Sequence, residues 1–400
     1  MHDLDKKRIV SRPVTNSQGE SILYGFGFDE IKGRRKEQED ALAWEVYEPS
    51  IFEDLTPLQI AQRLWTSYRL INSEILNVID QSGTTAVTTI FNQEYLISAL
   101  VADAAVFVAI YDEHGELVGV SRLNQRVHKP ELQSERDRIY AAGSSIEGDE
   151  GRVQGRLAIS RAFGDKDVKG IIPDPDLMIT YMGDIPKEYS VHLISSCDGF
   201  TDAAKKDTQR SHEKLLHSCL TALNKGKPGR CHPIEIASYL TRQALARGSR
   251  DNISVSVQIV KHSGKYASFC GMSGIYDGHG GYQASHYTAD HIGDIIKKQL
   301  LLSEAEYAVQ EQSAIQQEAD FLRDNQDVND GFILSFFSPS DDDTLTDDSK
   351  EAAEPVMEES EEVVNAKASE ISSVINVTFW SSEEKNITRI LPGNKPPELP

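Results

Sequence analysis

The chain has 400 residues, 39% of them apolar, and a formal net charge of −22. That length supports a sizeable core in one large domain or two ordinary ones, while the charge makes nucleic acid a poor partner, because neutralising phosphates takes clustered Lys and Arg. Much of the acidity lies in SPSDDDTLTDDSKEAAEPVMEESEEVV, Ser338 to Val364, which has one Lys and no aromatic residue. This is the composition of a solvated, disordered segment.

In chain order, an N-terminal extension over 1–20 leads to strands predicted at 23–31 and 41–47. Thr56-Pro57 supplies an N-cap and first-turn pair. Beyond it Ala61, Leu64, Tyr68, Ile71, Ile75 and Val78 recur at helical spacing, so 57–80 reads as an amphipathic helix. Strands follow at 84–91, 94–102, 105–112, 116–123 and 190–198, then helices at 212–224 and 233–247, then strands at 253–260 and 268–277. Helices over 282–301 and 304–323 close the organised part, and 326–400 reads as an acidic, largely disordered tail. Many strands in hairpin order with a few long helices predict an α+β fold, two packed, mostly antiparallel sheets with helices outside.

Two segments bear on compartment. Tyr95 to Tyr111 is apolar but carries Asp103 at its centre and is short of the ~20 residues a spanning helix needs, so it reads as two buried strands and no membrane span is expected. MHDLDKKRIVSRPV has no apolar signal core. Cys197, Cys219, Cys231 and Cys270 lack CxxC spacing, which favours free thiols in a reducing, cytoplasmic setting over disulfides or a zinc site.

Acids recur at the ends of apolar strands. Glu39 and Asp40 precede ALAWEV, Asp198 follows VHLISSC, Asp251 precedes NISVSVQIV, Asp277 ends SGIY, and Asp103 interrupts VADAAV. Any one of them alone reads as a turn residue or a capped strand end. Together they outnumber the neighbouring Arg and Lys, and an unpaired buried carboxylate costs several kcal/mol. A hard divalent cation solves this, since Mg²⁺ and Mn²⁺ take oxygen ligands.

The segments GRRKEQED, SGTTA, GRVQGRLAISRAFGDKDVK, SSCDGFTD, RGSRDNISV and YDGHGG resemble the signature motifs of the metal-dependent Ser/Thr protein phosphatases, the PPM or type 2C family, across about residues 20 to 300. The resemblance implies an α-β-β-α sandwich over 21–325 and hydrolysis of phosphoserine and phosphothreonine in proteins by water activated between two Mg²⁺ or Mn²⁺ ions. It implies that Asp277 bridges the ions and that the carbonyl of Gly278 ligates one. Asp198 and Asp251 complete one shell, Glu39 holds the other ion, and Asp40 fixes its waters. Arg35 clamps the phosphate and His279 protonates the leaving Ser or Thr oxygen. Asp103 and Asp202, with Asp198, match a weaker third metal site.

The sequence departs from the family pattern in three places. VADAAV replaces a Gly-Asp-Ser-Arg run, and Val127 stands where relatives have Asp before His128. The DGHGG unit, which normally lies between the Glu-Asp and SGTTA motifs, comes after the last strand instead, within 264–301. This is relocation of one strand-helix unit. A short KHSGK connection would let it dock in its usual slot, and the alternative is a domain-swapped homodimer in which a second molecule is completed. Ser82, Thr84 and Thr85 read as residues that hold the strand and loop together, and Cys197 as a core residue on the face opposite Asp198. The competing functional reading is a pseudophosphatase that keeps the fold for protein binding. The Glu-rich MEESEEVV and SSEEKN also resemble C-terminal signals of bacterial type IV secreted effectors, against the plainer reading of a solvated linker.

Overall fold

Strands form where β-branched and aromatic residues alternate, and helices where apolar residues recur every three or four positions. The computed structural model describes residues 14–15, 21–22, 25–149, 151–225, 231–261, 270–324, 376–380 and 387–390. In chain order its main elements are β1 (Phe26–Ile31), β2 (Ala41–Tyr47), α1 (Pro57–Val78), β3 (Ala86–Phe91), β4 (Tyr95–Val101), β5 (Ala105–Tyr111), β6 (Leu117–Arg122) and α2 (Gln133–Ala141). Next come β7 (Asp176–Tyr181), β8 (Ser190–Ser196), α3 (Asp198–Thr201), α4 (Gln209–Asn224), α5 (Pro233–Ala246) and β9 (Ile253–Lys261). The last are β10 (Cys270–Tyr276), α6 (Gln283–Leu300), α7 (Glu304–Asp324), β11 (Asn376–Trp380) and β12 (Ile387–Ile390).

Two antiparallel sheets result, a seven-stranded one ordered β12-β11-β7-β4-β3-β10-β2 and a five-stranded one ordered β1-β9-β8-β5-β6. Their facing sides share a core that includes Val87, Leu100, Val108, Leu193 and Ile275. On the outer face of the larger sheet, Leu64, Tyr68 and Ile71 of α1 and Ile292 and Ile296 of α6 cover Ile90, Ile97 and Met272. On the outer face of the smaller sheet, Leu216 and Leu220 of α4 and Ile236 and Leu240 of α5 cover Phe107, Ile194 and Val257. Each such side chain contributes roughly 1.5–3 kcal/mol by leaving water. The α+β sandwich expected from the sequence is therefore present.

The Thr56 cap also forms as the sequence suggests. The Thr56 hydroxyl accepts from the Gln59 N–H while the Gln59 side chain accepts from the Thr56 N–H, a reciprocal capping box at the head of α1. The segment Tyr95–Tyr111 forms β4 and β5, and among the described residues no helix is long and apolar enough to cross a membrane.

The late unit takes an interior position. β10 lies between β2 and β3, hydrogen-bonded on both edges, with Tyr276 opposite Ala41 and Ile275 opposite Val87. Lys261, the first residue of KHSGK, ends β9, and the rest of the connection lies within 262–269, outside the described residues. Four further features, α2, α3, β7 and the β11–β12 hairpin, go beyond the elements expected from the sequence. The hairpin lies within 326–400, where β11 pairs with β7 and extends the larger sheet. The rest of the tail and most of the 1–20 extension lie outside the described residues.

Candidate metal centre

Strand register brings the acids together. Tyr276 pairs with Ala41, so Asp277, which follows one, meets Asp40, which precedes the other. In the smaller sheet Ser196 pairs with both Val255 and Ala105. Asp198 lies just past that point, Asp251 just before β9, and Asp103 just before β5. All five acids thus reach the same end of the sandwich, although up to 237 positions separate Asp40 from Asp277 in the chain.

Ligand-type atoms of Asp40, Cys197 and Asp277 lie within 4.8 Å of one another. Asp40 is buried, and its Oδ2 accepts a 2.6 Å hydrogen bond from the Ser254 hydroxyl. Burial pushes the Asp40 carboxyl up to about 6, against the pull of the Ser254 hydrogen bond. Burial first, then the fields of Asp103, Asp202 and Asp251, hold Asp198 well above the usual range. Asp277 is raised in the same way, by burial and then by Asp40 and Asp198. Asp202, exposed at the end of α3, is pushed up to about 6 by desolvation and by Asp103 and Asp251.

These groups fit a hard cation. The Oδ1 atoms of Asp40 and Asp198 are buried without a hydrogen-bond partner, and mutually repelling carboxylates, beside a Cys197 thiol that burial keeps protonated, offer the oxygen ligands that Mg²⁺ and Mn²⁺ favour. Gly278 adds a close approach, because a Cβ there would overlap the Glu39 carbonyl oxygen and come within 2.8 Å of the Ser285 hydroxyl. The Gly278 backbone therefore sits against the Glu39 segment.

The threonines of SGTTA hold this turn. Asp277 O accepts from the Thr85 N–H at 2.9 Å and from the Thr84 hydroxyl at 3.0 Å, and Asp277 N–H donates to Thr85 Oγ1 at 3.3 Å. Ser82 Oγ accepts from the Ala284 N–H at the start of α6. Glu39 is fixed through its backbone. Its N–H donates to Asn252 Oδ1 at 2.9 Å, while the Asn252 amide donates to the carbonyls of Lys32 and Glu37.

Arg35 reaches the rim, 55% exposed, and donates to Asp251 Oδ2 at 2.6 Å, which raises its pKa further. Asp103 is buried and ion-paired with Lys129 at 2.5 Å. The preceding Ala102 is left-handed, φ 73°, and is clamped by His128, whose Nδ1 accepts from the Ala102 N–H and whose N–H donates to the Ala102 carbonyl. His128 thus has a structural role without an acid at position 127.

His279 lies beside the cluster, half-buried, with Nε2–H donating to Asp165 Oδ2 at 2.6 Å. Burial alone would lower its pKa, but the Asp165 carboxylate outweighs burial and the net direction is upward. Asp165, Asn252, Ser254 and Lys129 all act here without having been singled out from the sequence. Asp165, Asn252 and Ser254 lie inside quoted motifs, which was the available signal.

Cys197 requires a correction. Strict alternation would point it away from Asp198, but β8 ends at Ser196 and Cys197 is the cap of α3, so the period-two rule stops one residue early. Its sulfur lies under the acids, accepts from the Ser254 N–H at 3.1 Å, and has its pKa raised by burial and by Asp40, Asp277 and Asp198.

A four-layer sandwich with a carboxylate cluster at one end and a His–Asp pair beside it is the class of protein that fold and site define. Residues 28–253 match the family model described as Protein phosphatase 2C, and the chain belongs to that family. The matched span ends before Asp277. Probable protein phosphatase 2C 75 of Arabidopsis thaliana is 33% identical over 193 residues, covering 46% of this chain and 44% of that protein. Protein phosphatase 1L of Bos taurus is 30% identical over 190 residues, covering 46% and 47%. The chain therefore spans less than half the length of these relatives. Among solved structures, a phosphatase from a pathogenic strain of Toxoplasma gondii aligns with TM-score 0.43 and 17% identity over 62% of this chain and 96% of that one. A bacterial serine phosphatase aligns with TM-score 0.39 and 15% identity over 60% and 99%.

Proposed function

We propose that this chain hydrolyses phosphoserine and phosphothreonine in proteins with the help of divalent cations. The observation that carries the reading is the convergence of Asp40, Asp198 and Asp277 in one buried place, each pushed toward its protonated form when no cation offsets the others. Asp198, Asp251, Asp277, Glu39 and the Gly278 carbonyl would hold two Mg²⁺ or Mn²⁺ ions, with Asp40 placed to orient their waters. Such ions, when bound, ionise water near neutral pH and offset charge on the phosphoryl oxygens.

The chain's own groups supply the rest. Arg35 offers a planar fork to the phosphate oxygens after turning from Asp251. His279 donates a proton to the departing Ser or Thr oxygen, a poor leaving group without one. A third cation at Asp103, Asp198 and Asp202 would have to compete with the Lys129 ammonium already on Asp103.

The test is hydrolysis of p-nitrophenyl phosphate and of a phosphothreonine peptide with Mn²⁺ or Mg²⁺, with and without chelator. Chelator-sensitive turnover of both supports the reading. Folded, cation-loaded protein that turns over neither would leave a binding module in its place.

A further inference from the structure

Three short segments far apart in the chain form a small antiparallel ladder beside the acid cluster. Gly83–Thr84 is its centre, flanked by Phe163–Gly164 on one side and Gly278–His279 on the other. In its register Gly83 lies opposite both Gly164 and His279. Asp165, the next residue after Gly164, and His279 therefore approach each other across the Gly83 Cα. A Cβ on Gly83 would overlap the Asp165 carboxylate and come within 2.5 Å of His279 Nε2. The glycine leaves the space through which the two side chains meet.

We propose that Asp165 is a positioning residue for His279: its carboxylate fixes the imidazole through Nε2 and leaves Nδ1 as the ring nitrogen available to the leaving oxygen. The proposal rests on the phosphatase reading above. Asp165 is built for one orientation. It is 7% exposed and adopts a left-handed backbone, φ 49°. Such a conformation is unfavourable for a non-glycine residue and persists where the surroundings impose it. Its N–H donates to Ser82 O at 3.3 Å and its carbonyl accepts from the Val168 N–H at 2.8 Å. Nearby cations are committed elsewhere, Lys166 to Asp80 and Arg156 to Asp167. Among the described residues, His279 is the only basic group paired with Asp165.

An orientation role has a signature that a packing role lacks. The phenolate leaving p-nitrophenyl phosphate is stable without a proton, whereas the oxygen leaving a phosphothreonine peptide needs one. Asp165→Ala, Asp165→Asn, His279→Gln and the Asp165→Ala/His279→Gln double variant should be compared on both substrates at saturating Mn²⁺, after thermal unfolding shows each folded. Asp165→Ala should lose about tenfold or more in kcat on the peptide and about threefold or less on the aryl ester, with KM within about twofold. Asp165→Asn, which retains an acceptor oxygen, should recover most of the peptide rate. The double variant should be no slower on the peptide than His279→Gln alone, as expected of groups that act as a unit.

Equal losses on both substrates, an effect confined to KM, or multiplicative losses in the double variant would each overturn the proposal. If His279→Gln discriminates between the substrates and Asp165→Ala does not, Asp165 alone loses its role. If His279→Gln shows no discrimination, proton donation by His279 fails and the positioning role goes with it.

Discussion

Gly278 has no room for a side chain, and this makes it a direct probe of the centre. Its Cα faces the Glu39 carbonyl, so a methyl group there must push the Asp277–His279 turn away from the Glu39 segment. Flexible neighbours could absorb such a clash cheaply, but a backbone carbonyl held by the Ser285 hydroxyl cannot. Gly278→Ala should therefore destabilise the protein by about 1–3 kcal/mol and weaken Mn²⁺ binding in proportion to the displacement of Asp277. Unfolding in denaturant and calorimetric titration with Mn²⁺ would measure the two effects. A variant with wild-type stability and wild-type Mn²⁺ affinity would show that the Gly278 backbone does not help to define the site.

At the level of elements, the question is what keeps the late strand-helix unit in its slot. Arg63, on α1 and 1% exposed, donates to the carbonyls of Gln299 at 2.5 Å and Leu302 at 2.9 Å and pairs with Glu304 at 2.6 Å. The carbonyl of Gln299, in the last turn of α6, and that of Leu302, just beyond it, thereby face a cation, as the negative end of a helix dipole favours. Arg63→Met, which keeps the volume but removes the donors, should cost about 2–4 kcal/mol in chemical unfolding. A loss below about 1 kcal/mol would mean that water replaces the guanidinium without penalty. Two elements that sequence did not disclose, α2 and β7, share one cause with this lock. α2 buries only Glu135 and Ile139, and Glu135 is held by Arg161 and Arg138, so ion pairs hold the helix in place and no apolar stripe marks it. β7 begins at Asp176, whose carboxylate is gripped by Arg126 and His128, and it lies just after Pro173 and Pro175 in a stretch that reads as turn. By contrast β2, β8 and β9 were legible because alternation or apolar runs mark them directly. The acids of the site were legible for a related reason, standing at the ends of such strands. Asp165 was not, since its partner is set by a ladder of three segments and not by any local pattern.

For the whole molecule, one chain supplies every acid of the cluster, with β10 paired to β2 and β3 of the same chain. Specific activity should then be independent of protein concentration into the range where ultracentrifugation shows only monomer. Activity that disappears on dilution would instead favour exchange of the unit between two copies. A second whole-molecule property follows from the electrostatics. Asp40 is raised from 3.8 to about 6 in the folded chain, so between those values the folded state holds a proton that the unfolded state has released. Stability from this group is complete below pH 3.8 and is lost as pH rises through about 6, an effect of about 3 kcal/mol for a buried group. Asp198 and Asp277, raised well above the same starting value, extend the loss to higher pH. A divalent cation binds the ionised cluster and competes with those protons, so its stabilisation must grow as pH rises. Thermal unfolding from pH 5 to 8, with Mn²⁺ and with chelator, should therefore give curves that diverge with pH: the chelated protein falls while the Mn²⁺-loaded protein holds. Parallel curves would mean that the carboxylates do not take up protons together in the folded chain, and converging curves would mean that they are not where the cation binds.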